Sequence, residues 1–300
     1  MIRSSSLAAL ALILGFAAPT LAGPGSYVRF EQEGRDAALQ TAVAHFTHPD
    51  KNVEIVLYGV VHIADKSYYD AVQRDLDSYD VVLYEGVAPG KTKPTEADKG
   101  LGEMQKAMGE LLGLTFQKEG IDYTRKNLVH ADMNMDQLKE AMGGKTINPM
   151  GQLVSPEMLK QMGPMLKGLA QLGKSSPGMQ RMFKTMMAKQ LGNADLSNAL
   201  GKKATQVILI ERNKVVMKVL AEQLKKTTTG RIAIFYGAAH NVDFEQRFKA
   251  LGWTRSSKRW MSAWTIGNGI SSGEEAPAPT RSPTRESTPA VKPKTGARWF

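Results

Sequence analysis

Three side chains able to hold a metal ion or move a proton stand at the ends of apolar runs. His62 follows Val53-Glu54-Ile55-Val56-Leu57-Tyr58-Gly59-Val60-Val61, and Glu85 closes Asp80-Val81-Val82-Leu83-Tyr84. His240 follows Ile232-Ala233-Ile234-Phe235-Tyr236-Gly237-Ala238-Ala239. The first and third runs share the signature Tyr-Gly-x-x-His. Glycine at that place, Gly59 or Gly237, lets backbone or ligand approach closely where a strand ends. A single Gly-x-x-His carries no information. Two, with a carboxylate at the end of a third run, give the donor set of an open metal site or of a His/carboxylate acid–base pair. The structural alternative is that each histidine caps a strand-to-helix turn and satisfies local backbone groups.

Other candidates are less specific. Glu211 and Arg212 lie within or beside the apolar stripe of a long helix, where burying either charge unpaired is costly. Arg212 reads as site-facing, able to stabilise an oxyanion or clamp a carboxylate. Glu211 reads more readily as a helix-border residue reaching solvent. His130 and Asp132 are two apart and share a face if extended. They read either as ligands to an ion or site water or, for Asp132 or Asn134, as the N-cap of the next helix. His45 and His48 read as edge-strand or surface histidines.

The elements that position these residues are short β-branched runs separated by a helical span, as in a βαβ unit. Tyr68, Val72, Leu76 and Tyr79 recur at near-helical spacing after an N-cap offered by Ala64-Asp65. In open α/β sheets ligands bind outside the carboxyl ends of strands, which is where His62, Glu85 and His240 fall. The expected fold is α/β: a central mixed sheet with paired strand–GxxH halves and a helical Met-rich insertion. Tyr27–Phe30 and Thr41–Phe46 read as a hairpin entering that sheet. Residues 101–203 hold 13 of the 16 methionines and read as short helices over 101–112, 136–142, 155–172 and 178–191. Methionine there suits a loosely packed insertion or an adaptable groove. Residues 204–225 predict the longest helix and 241–251 a shorter one, before a closing strand or hairpin over 253–264.

The ends read differently. Arg3, the apolar Leu7–Ala18 and Thr20-Leu21-Ala22 fit a signal peptide over residues 1–22, cleaved near Ala22. That predicts export, periplasmic or secreted, with the folded domain over 23–270 and a disordered basic Pro/Thr-rich tail over 271–300. With no cysteine in the chain, disulfides, a thiol nucleophile and a thiolate zinc site are excluded. The net charge of +10 suits an acidic envelope surface or substrate, and no nucleic-acid motif is present.

The two Tyr-Gly-x-x-His motifs, Glu85 in Val-Leu-Tyr-Glu-Gly, and Glu211-Arg212-Asn213 before the second motif resemble the TraB/PrgY/GumN and TIKI superfamily from about Glu54 to Trp264. His130-Ala131-Asp132-Met133 is similar to a stretch in some exported bacterial members. The resemblance implies an α/β core assembled from two halves. It implies a site carrying Gly59, His62, Glu85, Arg212, Gly237 and His240, metal-dependent proteolysis in the TIKI members, and distant kinship with erythromycin esterase. The expected activity is therefore a divalent-metal hydrolase, using Mn²⁺, Co²⁺ or Zn²⁺ on His62, His240 and Glu85 and acting on peptides. Two alternatives stay open: metal-free His/Glu hydrolysis of a small ester or amide, and a non-catalytic protein that binds a peptide or envelope component.

Overall fold

The structure, a computed structural model, describes residues 27–91, 106–143, 168, 171, 176–193 and 205–270, and the backbone of 274–275. The expected signal peptide, most of the expected tail and the helix expected over 155–172 lie outside the described residues, apart from isolated positions. The fold is α/β, built on one mixed sheet.

Strands β1 (Val28–Glu33) and β2 (Asp36–His48) form the expected hairpin, turning at Gly34 with φ +60°. The backbone there needs the left-handed region that glycine occupies without strain. Strand β3 (Lys51–Val60) pairs antiparallel with β2, then parallel with β8 (Thr229–Gly237). Beyond β8 lie β5 (Val81–Tyr84) and β7 (Leu128–His130), both parallel to it. On the far side β2 pairs with the single long strand β9 (Thr254–Ile266), which carries a short β10 (Glu274–Glu275). A separate two-stranded ladder joins β4 (Ile63–Ala64) to β6 (Thr115–Phe116).

The central strands are apolar on both faces because both are covered, so they read as continuous runs. Val56, Tyr58, Val82, Ala233 and Phe235 face one core, with Tyr69, Val72 and Leu76 of helix α1 (Lys66–Leu76). Ile55, Leu57, Leu83, Ile232, Ile234 and Tyr236 face the other. That core is closed by Val216 and Leu220 of helix α4 (Arg212–Lys226) and by Phe244 and Phe248 of helix α5 (Asn241–Ala250). Helices α2 (Met135–Ala141) and α3 (Pro177–Asn193) come from the Met-rich block. Residues 106–112 are also helical, as expected.

Two local expectations change. Asp65 holds the N-cap position of α1 without a capping hydrogen bond. Its carboxylate instead joins Lys184 Nζ at 2.7 Å to the Thr265 backbone N–H at 2.6 Å, tying α3 and β9 together. The long helix is unbroken but not α throughout: Gln206–Glu211 is a π-helix leading directly into α4.

Candidate functional site

The four parallel strands lie in the order β3, β8, β5, β7, so their carboxyl ends form one edge. His62, His240, Glu85 and Asp132 follow those ends in that spatial order. The two Gly-x-x-His copies run one residue out of step, since Gly237 pairs with Val60 and Gly59 with Tyr236.

Glu85 extends the ladder, its N–H donating to the Phe235 carbonyl at 3.1 Å. Its carboxylate turns into the protein. Oε1 accepts from Arg212 Nη2 at 2.7 Å and Oε2 from the Gly237 N–H at 2.6 Å. Arg212 also grips Asp132, with Nε to Oδ1 at 2.9 Å and Nη2 to Oδ2 at 2.5 Å. The remaining capacity of Asp132 is filled by the N–H groups of Gly86 and Met133. Two buried carboxylates thus share one guanidinium, and the cluster of these three keeps a net negative charge beside His240, whose Nε2 is 3.7 Å from Glu85 Oε1.

Burial shapes the ionisation of this cluster. It would push Glu85 up, yet Arg212, His240, His62 and the Gly237 N–H together hold that carboxyl far below the usual range. Burial would lower Arg212, but Glu85 and Asp132 raise it further above its ordinary value. His240 falls to about 4, chiefly by burial, with Arg212 and His62 adding to the fall and Glu85 and Asp132 opposing it. His240 is therefore a neutral imidazole at neutral pH. Its Nδ1 lies 2.6 Å from Asn213 Oδ1, and His62 Nδ1 lies 2.9 Å from Gln117 Oε1.

His62, Glu85 and His240 thus lie along one strand edge, and Arg212 and Gly237 join it through Glu85. Asp132 belongs with them through Arg212. The cap of α2 is Asn134, which forms a reciprocal capping box with Gln137. His130 does not join the cluster: its Nε2 donates to the Gly86 carbonyl at 2.6 Å. Glu211 also turns away, bonding Gln206 and Lys214 at the surface. Gly59 packs beneath the site, where an added Cβ would meet Asn241 Nδ2 at 2.9 Å and the Ala42 carbonyl at 3.0 Å. Gln117 and Tyr123 escaped the sequence reading, as they sit in a segment with no periodic pattern. Asn213 had a readable signal as a polar residue on the buried stripe of α4.

Two imidazoles and a carboxylate are donor types that divalent ions take. Among the described residues, His62, Glu85 and His240 included, no three His, Asp or Glu side chains are grouped so that they could hold a metal ion as they stand. No described helix is long and apolar enough to cross a membrane. A scan against protein-family models and searches of the curated proteins and of the solved structures find no match.

Proposed function

We propose that this chain is an exported metal-dependent hydrolase, with peptides as its preferred substrates. The observation that carries the reading is a neutral His240 whose Nε2 faces an ionised Glu85 at the strand edge that also bears His62. His62 and His240 would hold the ion through their imidazoles, with Glu85 as third ligand; held far below the usual carboxylate range, Glu85 is the weaker choice as base for water. The ion, when bound, would lower the pKa of a water and polarise a carbonyl. Arg212 is committed to Glu85 and Asp132, so its part is to keep Glu85 charged and fixed. The paired Tyr-Gly-x-x-His motifs support the same reading through their resemblance to the TIKI-like proteases. Arg3 and the apolar segment after it support export.

One observation favours metal-free hydrolysis as a second reading. Both oxygens of Glu85 already accept hydrogen bonds, from Arg212 and from Gly237, which suits a carboxylate that orients a histidine base. The test is turnover of a fluorogenic peptide mixture and of simple aryl esters and anilides by the chain freed of residues 1–22. Each assay is run with added Mn²⁺, Co²⁺ or Zn²⁺ and with chelator. The proposal expects metal-restored peptide cleavage that Glu85→Gln abolishes. Chelator-resistant ester cleavage lost in His240→Ala would favour the second reading. No turnover of any probe would leave binding as the better account.

A further inference from the structure

Each histidine of the proposed site is gripped twice by one amide residue. Gln117 donates its backbone N–H to the His62 carbonyl at 2.8 Å, while its Oε1 meets His62 Nδ1 at 2.9 Å. Asn213 donates Nδ2 to the His240 carbonyl at 3.1 Å, while its Oδ1 meets His240 Nδ1 at 2.6 Å. Both amides are buried. The two clamps come from unrelated places, one from a helical turn after β6 and the other from α4.

The orientation of Asn213 is fixed by its other contacts. Asn213 Nδ2 also donates to Asp243 Oδ2 at 2.8 Å, and both of its partners are pure acceptors. Oδ1 is therefore the atom facing His240, and it can only accept. Gln117 donates from Nε2 to the Tyr123 hydroxyl at 2.9 Å and turns its Oε1 toward His62 Nδ1; the hydroxyl can also donate, so this amide is set by its placement and not by its partner's chemistry. Which ring nitrogen of a histidine carries the proton is set by the hydrogen bond the other side makes. A carbonyl oxygen on Nδ1 demands the proton there and leaves Nε2 with a bare lone pair.

We propose that Gln117 and Asn213 are paired positioning residues that lock His62 and His240 in the same tautomer, with Nδ1 protonated and Nε2 free to take an ion or a proton. The inference rests on reading these histidines as the working pair of the hydrolytic site, but its test does not. Amide carbonyls in this place orient a ligating histidine and raise its basicity without adding a charge.

The same molecule supplies controls. His130 Nε2 bonds the Gly86 carbonyl, and His48 Nδ1 accepts from the Asp50 N–H at 3.1 Å, so both carry the proton on Nε2. Long-range ¹H–¹⁵N correlation spectra of the metal-free protein, at a pH where the rings are neutral, read the tautomers directly. The expected result is Nδ1–H at His62 and His240, and Nε2–H at His48 and His130. In Gln117→Leu, His62 should lose its Nδ1–H signature while His240 keeps it, and Mn²⁺, Co²⁺ or Zn²⁺ affinity should fall about 10- to 100-fold. Gln117→Glu keeps an acceptor and should keep the tautomer. Asn213→Leu should move His240 alone; if that variant does not fold, wild-type His240 and the two Gln117 variants decide the matter.

Nε2–H at either site histidine in the wild type overturns the inference, as does an unchanged His62 in Gln117→Leu. Tautomers as expected in a protein that turns over no substrate would support the clamps while sinking the hydrolase reading.

Discussion

The two strand exits carry one motif and use it differently. At the second exit Gly237 lies against the charged cluster. Its N–H holds Glu85, and a Cβ there would stand 3.1 Å from Glu85 Oε2. At the first exit Gly59 is needed for packing. It is where β2, β3 and the start of α5 touch, with the Ala42 carbonyl, Asn241 and Ala238 all within 3.2 Å of a would-be Cβ. The histidines differ in the same way. His240 is fully buried, closes a 3₁₀ turn and opens α5, whereas His62 is half-buried and runs into the short ladder of β4 and β6. The second exit thus supplies a fixed and desolvated wall, and the first supplies the more accessible imidazole. A repeated motif signals a shared place in the fold; the work at each copy is set by what packs around it.

The largest effect should come from the residue that joins the second exit to β5 and β7. Arg212→Met leaves Glu85 and Asp132 buried without their cation. It should cost about 3–5 kcal/mol in denaturant unfolding or prevent folding outright. A loss below about 1 kcal/mol would mean that the carboxylates find another partner.

The pair of glycines sharpens the contrast. Gly59→Ala presses on backbone and a buried amide, and should lose about 1–3 kcal/mol of stability. Gly237→Ala meets the end of the Glu85 carboxylate at 3.1 Å and the His240 ring at 3.7 Å, with no backbone in the way, so stability should change by less than about 1 kcal/mol while turnover drops. Equal stability losses in the two variants would erase the distinction.

A pH titration of stability in chelator isolates His240. Its folded pKa of about 4 lies below the ordinary 6.5, so between those values the unfolded chain takes up a proton that the folded chain refuses. Stability should therefore fall as pH drops through that window, by an amount on the order of 2–3 kcal/mol from this group. Glu85, also depressed, adds a loss at lower pH. His240→Gln should flatten the upper part of the curve; an unchanged slope would place the titrating group elsewhere.

The smallest effect belongs to Glu211, which bonds Lys214 and Gln206 at the surface. Glu211→Ala should move stability by no more than about 0.5 kcal/mol and leave metal binding unchanged.

His62, Glu85 and His240 were legible because a polar residue closing a doubly buried strand has few purely structural reasons to be there. Arg212 was legible as a cation on an apolar helical stripe. The place of β8 between β3 and β5 was not, because pairing between distant segments leaves no local mark. Nor was the π-helix over Gln206–Glu211, which widens the turn just before Arg212, the kind of irregularity found often at functional sites. Asp132 was visible as a candidate, but its role hung on Arg212 reaching it across the fold.

The most direct test of a single site shared by both exits is calorimetric titration of Mn²⁺, Co²⁺ and Zn²⁺ into metal-free wild type, His62→Ala and His240→Ala. The account predicts one ion per chain in the wild type and its loss in each single variant. An ion kept undiminished by either variant, or none bound by the wild type, would contradict it.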